Sequence, residues 1–282
     1  MQEKENANVS EVETEVKPGK RRTVGLCNGN GIIYIFAGKG KSHPHSDMWY
    51  IDVFGDKIWV NIKRNEEDLW PIRRSGHGFN FYDNKLYMFG GYNAQKRYLN
   101  DFWCFDIKSK IWKEIITNTD DYKPTECFGL NSVIYKHYVV IFGGKFRMSN
   151  KVICYNDLYI YNILSNKWRK IECQNKPDNR RYHGMTICNG KLVINGGLNM
   201  KNIVLGDLHC IDMNKVIKSD NNNIPKWVNI NNTIGKLNAH VLVSDGLTLY
   251  CFGGNENFNN VTANSDLTIY HDLEVHSNKI KL

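Results

Sequence analysis

Three groups of residues have the types and spacings from which chemistry is built. Gly40-Lys41-Ser42 resembles the end of a phosphate-cradling loop, but that loop needs a glycine at position 35, where the chain has Ile35. Nucleotide binding is not expected there. His43 and His45 offer imidazole nitrogens to a metal, yet no cysteine or acid stands at ligand spacing around them, and a solvated loop is the better reading. His77, His183 and His240 recur at one place in a repeated unit, as do Arg21, Arg74 and Arg180. Recurrence argues for structural work, with the histidines hydrogen-bonding turns or neighbouring units. No nucleophile with its base, no carboxylate pair and no metal-ligand set emerges by spacing. No catalytic residue, cofactor or metal is therefore expected.

The elements that position these side chains follow from periodicity. Proline stands at 18, 71, 124 and 177, each 53 residues after the last. Ala37-Gly38, Gly90-Gly91, Gly143-Gly144 and Gly196-Gly197 keep the same step, and Gly253-Gly254 follows after 57. Two unrelated landmarks in step across four copies mean an array of one structural unit, as in solenoids and propellers. One domain is expected from 18 to 282, in units of about 18–70, 71–123, 124–176, 177–233 and 234–282. Residues 1–17 are read as an acidic, disordered tail. Val9, Val12 and Val16 alternate well enough to offer a second reading, a strand along the fifth unit.

Within the second unit, Gly76–Tyr82, Lys85–Phe89, Asp101–Asp106 and Ile111–Ile115 are short β-branched and aromatic runs separated by turn residues. That pattern predicts a four-stranded antiparallel meander. Asn28–Gly31, Asp83-Asn84, Asn189-Gly190 and Asp245-Gly246 supply the positive φ that tight hairpins need, and only Tyr135-Lys136-His137 departs. An aspartate opens each third strand (Asp47, Asp101, Asp157, Asp207, Asp272), and the fourth carries Trp59, Trp112, Trp168 and Trp227, with Ile280 in the last.

Strand, turn, aromatic strand, Gly-Gly, Asp-led strand and tryptophan in about 50 residues resembles the kelch repeat. The resemblance implies an all-β, kelch-type β-propeller of five four-stranded antiparallel blades, with a six-bladed or incomplete ring as the alternative. It also implies a non-catalytic protein–protein interaction module, an adaptor or substrate-recognition protein. The competing implication is a small-molecule enzyme, isomerase or lyase, with its site at the channel. Asn195 stands where other units have Phe36, Phe89, Phe142 and Phe252, and must find partners if buried. The fifth unit lacks the proline and the tryptophan and is expected to be the least stable.

Antiparallel alternation puts the loops between strands two and three on the face where one unit enters the next. These loops, at 39–46, 92–99, 145–155, 198–205 and 255–271, vary most between units. Variable loops on a rigid scaffold are where binding resides. The expected partner-binding residues are Arg21, Arg74, Arg180, Tyr92, Lys96, Arg97, Lys145, Phe146, Arg147 and Phe258, capturing another protein or an acidic peptide. The net charge of +8 is mild for 282 residues and does not call for nucleic acid. No apolar run is long enough to span a membrane. The eight cysteines form no CxxC pair, and Cys104, Cys188, Cys210 and Cys251 fall in predicted strands, as packed thiols of a reducing compartment do. A monomer in the cytoplasm, or the nucleus, is expected.

Overall fold

The computed structural model describes residues 17–65, 67–93, 95, 97–117, 122–149, 151–230 and 235–257, with the backbone of three later strands. The first sheet is β1 (Gly25–Gly29), β2 (Ile32–Phe36), β3 (Met48–Asp52) and β4 (Val60–Ile62). The second is β5 (Gly78–Tyr82), β6 (Lys85–Asn93), β7 (Arg97–Asp106) and β8 (Ile111–Glu114). The third comprises β9 (Asn131–Tyr135) and β10 (Tyr138–Phe142), a projecting hairpin β11 (Lys145–Met148) and β12 (Lys151–Cys154), then β13 (Leu158–Asn162) and β14 (Lys167–Ile171). The fourth has β15 (Gly184–Cys188), β16 (Lys191–Asn195), β17 (Leu208–Asp212), helix α1 (Met213–Ile217) and β18 (Val228–Ile230). Next come β19 (Val241–Ser244), β20 (Leu249–Phe252) and β21 (Leu267–Tyr270), and a separate hairpin, β22 (Glu274–His276) with β23 (Lys279–Lys281).

Every pairing within these sheets is antiparallel, and sequential except that β10 pairs β13 across the β11–β12 hairpin, which is the meander expected of propeller blades. The innermost strands neighbour one another in the order β1, β5, β9, β15, β19. The fifth sheet departs from expectation. Its third strand ends at Tyr270, so Asp272, outside the described residues, does not open it. Ile280 lies in β23, which pairs with β22 and not with the fifth sheet.

The hairpin turns take the backbone their residues allow. Asn30, Asp83, Asn84 and Asn189 have φ of 55°, 48°, 55° and 46°, and Lys136 adopts 57° in the third unit, whose Tyr135-Lys136-His137 turn has no Asn, Asp or Gly. The second glycine of each pair has a different reason. Gly91 (φ 102°) and Gly197 (φ 97°) lie so close to the preceding entry segment that a Cβ would sit 2.9 Å from the Ser75 carbonyl oxygen and 2.8 Å from that of Arg181. No side chain fits there.

The core lies between sheets, because one sheet cannot bury both of its apolar faces. Trp112 of the second sheet packs on Phe36 of the first at 5.1 Å between ring centroids. Trp168 packs on Phe89 at 5.4 Å, and Trp227, one residue ahead of β18, on Phe142 at 5.4 Å. All three indoles are at least 98% buried. Trp59 is half-buried and stands just before β4. The fifth phenylalanine, Phe252, is 51% exposed. Asn195 is fully buried, and its Nδ2 donates to the Asp207 carbonyl at 3.1 Å.

Candidate functional site

Each unit enters its sheet through a segment that pairs with the loop after the second strand: Arg22 with Lys39, Ser75 with Tyr92, Phe128 with Lys145, Arg181 with Leu198, Asn238 with Asn255. Entry segments and two-to-three loops therefore share one face. A main-chain relay runs beneath it. The N–H of Gly76 donates to Thr23, that of Gly129 to Gly76, that of Tyr182 to Gly129 and that of Ala239 to Tyr182, at 2.8–2.9 Å. All five residues have positive φ.

The arginines expected at the rim stand inside it. Arg74 Nη1 and Nη2 donate to the two oxygens of Asp101 at 2.7 and 2.6 Å, and Nη1 also reaches the Gly90 carbonyl. Arg180 does the same with Asp207 and Gly196, and Arg21 with Asp47 and Ala37. Arg74 and Arg180 are fully buried. Each clamps the entry segment to the start of the third strand, which explains why the aspartate recurs. Burial works to raise the Asp101 carboxyl, but Arg74 and the Trp103 indole outweigh it and leave it below the usual carboxylate range. The third unit has Cys127 at the arginine position, and there Lys170 and Lys176 hold Asp157 at 3.1 and 3.5 Å.

His77, His183 and His240 are buried at the seams, and neither ring nitrogen of any has a hydrogen-bond partner among the described residues. The expectation that they bond turns or neighbouring blades is corrected: they act as packing groups. Burial drives His77 down to about 3 and His240 to about 4, and holds His183 well below its ordinary value.

What remains on the face is a cluster of aromatic rings and cations. Two of the variable loops between strands two and three are β-hairpins, an extension of β6–β7 and the β11–β12 pair. Alternation makes them so: the Tyr92 ring lies 5.2 Å from Tyr98 and 5.9 Å from Phe128, and Tyr98 lies 5.1 Å from Phe146. Phe128 meets Tyr182 edge-on at 5.6 Å. The Lys145 ammonium sits 5.5 Å above the Phe128 ring, and the Arg181 guanidinium 5.8 Å from the centre of Tyr182.

Arg181 is 97% buried, donates to the Asn199 carbonyl at 2.8 Å, to the Cys154 sulfur and to Asn202 Oδ1, and leaves its Nε without a partner. Among the described residues no carboxylate forms an ion pair with Arg22, Lys145, Arg147 or Arg181. Burial, then the charges of Arg181 and Arg147, depress the Lys145 ammonium below its ordinary value. Burial pushes the Tyr182 phenol up to about 12. The arrangement can hold an anion over an aromatic floor.

Of the residues expected to bind, Tyr92, Lys145, Phe146 and Arg147 come together here. Arg97 is exposed on the neighbouring β6–β7 hairpin. Lys96 and Phe258 lie outside the described residues. Tyr98, Phe128, Arg181 and Tyr182 were not singled out from sequence. For Tyr182 the available signal was its repeat position, shared with Thr23, Gly76, Gly129 and Ala239, where it alone carries an aromatic ring.

No described helix is long and apolar enough to cross a membrane. Among the described residues no three His, Cys, Asp or Glu side chains gather as metal ligands would.

The sequence matches the KLHDC2/KLHL20/DRC7 Kelch-repeats domain over residues 3–197 and 118–277. It is 29% identical to Kelch domain-containing protein 10 of Xenopus tropicalis over 205 residues, 65% of this chain and 46% of that protein. It is 26% identical over 261 residues to the Leucine-zipper-like transcriptional regulator 1 homolog of Drosophila melanogaster, 86% of this chain and 25% of that one. A third relative, named N-(sulfonatooxy)prop-2-enimidothioate sulfolyase in Thlaspi arvense, is 28% identical over 144 residues, 50% of this chain and 40% of the relative. The chain thus spans less than half the length of these curated relatives. Sequential four-stranded sheets, the seam tryptophans and the family match together make this chain a member of the kelch-repeat family.

Proposed function

We propose that this chain is a non-catalytic protein-interaction module that captures an acidic peptide, or an acidic protein surface, on its entry face. One observation carries the reading: Lys145, Arg147 and Arg181 share one electrostatic field above aromatic rings, with no carboxylate paired to them among the described residues. Holding like charges together costs free energy that an incoming anion recovers. Arg, Tyr and Phe are also the side chains enriched at interface centres. Of the residues expected from sequence, Tyr92, Arg97, Lys145, Phe146 and Arg147 form the contact surface, while Arg21, Arg74 and Arg180 hold it in shape. Eight unpaired thiols support action in a reducing compartment, cytoplasm or nucleus. The chain works there as an adaptor or recognition subunit, as a monomer.

The test is fluorescence-anisotropy titration of the full chain with labelled Glu-rich and Lys-rich peptides. The Glu-rich peptide binds, more weakly as salt rises, and binding is lost in Lys145→Glu/Arg147→Glu. Equal affinity for both peptides, or no effect of the double reversal, overturns the reading.

A further inference from the structure

The chain carries its own acidic peptide. Residues 1–16 hold five glutamates, at 3, 5, 11, 13 and 15, against one lysine, Lys4. In the stretch 11–16, glutamates 11, 13 and 15 alternate with Val12, Thr14 and Val16. An extended segment of that kind puts charges on one side and small apolar groups on the other. The rest of the chain is basic enough to leave a net charge of +8 despite this segment.

The segment joins the fold at the entry face. Lys17 leads through Pro18 and Gly19 to Arg21, whose Nε donates to the Gly19 carbonyl at 2.9 Å. The next residue, Arg22, is exposed and bridges to Lys39 on the entry face. Arg22 is also close enough for its charge to act on the Tyr182 phenol. The point of attachment and the cation–aromatic cluster are therefore neighbours. An extended chain covers about 3.3 Å per residue, so the six steps from Lys17 back to Glu11 reach about 20 Å.

Resting on the acidic-peptide reading above, we infer that residues 3–16 occupy the Lys145/Arg147/Arg181 cluster in cis, so the chain competes with its own partner for this face. Three features point to this occupant rather than another: opposite charge, a short tether, and attachment on the same face. A short tether gives an effective concentration on the order of millimolar. A tail of modest intrinsic affinity then weakens partner capture about tenfold. Anything that masks the glutamates or pulls the segment away releases the face.

Two measurements on the full chain test this. The first titrates a labelled peptide of residues 1–16 into wild type and into Glu11→Gln/Glu13→Gln/Glu15→Gln. The neutralised variant binds the probe about tenfold more tightly, and adding Lys145→Glu/Arg147→Glu to it removes binding. The second joins carboxylates to amines with a zero-length carbodiimide and maps the products by mass spectrometry. A link from Glu11, Glu13 or Glu15 to Lys145 is expected in the monomer band. Equal probe affinity for the two chains, or links found only in a dimer band, overturns occupation in cis while leaving the acidic-peptide reading intact. Probe binding to neither chain overturns both.

Discussion

Phe142 of the third sheet and Trp227 of the fourth meet with ring centroids 5.4 Å apart and planes inclined at 58°. The same phenylalanine-to-next-tryptophan contact joins the second and third sheets through Phe89 and Trp168, and the first and second through Phe36 and Trp112. The seam is therefore the unit of stability. Each tryptophan stabilises the sheet before its own, which is how a short sheet with two apolar faces is buried at all.

Removing one of these indoles should be costly. Trp168→Ala is expected to destabilise the fold by about 3–5 kcal/mol, the usual cost of emptying a buried aromatic site. In a double-mutant cycle with Phe89→Ala, the coupling should be about 0.5–1.5 kcal/mol. Chemical denaturation of the four proteins supplies both numbers. A coupling of zero would mean that the two rings are neighbours without being partners.

The arginine clamps make a contrasting prediction. Arg74→Ala leaves the Asp101 carboxylate largely buried without its cation, and should cost about 3–5 kcal/mol. Arg97→Ala, on the exposed hairpin, should change stability by less than about 0.5 kcal/mol. Denaturant midpoints of both variants against wild type decide it. If Arg74→Ala proves as mild as Arg97→Ala, the bidentate pair does not hold the entry segment.

Acid should weaken the fold in two stages. His77, His183 and His240 are held neutral, with folded values near 3 and 4 for the first and third. An unfolded imidazole titrates near about 6.5. Below that pH the unfolded chain binds protons that the folded chain refuses, so stability is full above about 6.5 and declines as pH falls. The carboxyls of Asp47, Asp101 and Asp207 are lowered on folding, and their contribution fades only below about 4. Urea midpoints between pH 7 and 4.5 should fall, and His240→Leu should flatten part of that slope. A midpoint independent of pH across this range contradicts the buried neutral histidines.

Thiol chemistry reports the packing independently. Burial pushes Cys127 up to about 12 and Cys210 and Cys251 up to about 11. Because the thiolate is the reactive form, these groups should resist a thiol reagent at pH 8 in the native chain. All eight cysteines are free, so all eight should label after denaturation. Rapid native labelling of Cys210 would show that the seam between the fourth and fifth sheets opens readily.

Much of this architecture was legible because repetition exposes it. Proline, double glycine, aspartate and tryptophan at a fixed step mark strands and turns whose local chemistry leaves few options. The arginines show the limit of that reading. Spacing places Arg21, Arg74 and Arg180 on the entry face but says nothing about direction, and each side chain turns inward to an aspartate that spacing had also found. The histidines mislead for a related reason, since a recurring polar residue suggests hydrogen bonds and these are packed without any. The cluster of Tyr98, Phe128, Arg181 and Tyr182 was hidden because its members carry side chains that do not recur in every unit: Phe128 and Arg181 share one repeat position, where the other units have Arg22, Ser75 and Asn238. Contacts between units bring them together. The fifth unit read poorly because its third strand does not begin at the aspartate the repeat suggested.

The relay from Thr23 through Gly76, Gly129 and Tyr182 to Ala239 is made entirely of peptide groups. Each member takes a left-handed backbone, and hydroxyl, hydrogen, phenol and methyl stand at its steps. The two glycines answer to packing as well as to backbone shape. A Cβ at residue 76 would lie 2.3 Å from the Phe128 ring, and one at residue 129 would lie 2.9 Å from the Tyr182 ring. Rewriting either step therefore means moving the aromatic floor of the next unit, so the frame and the chemistry of this face change together.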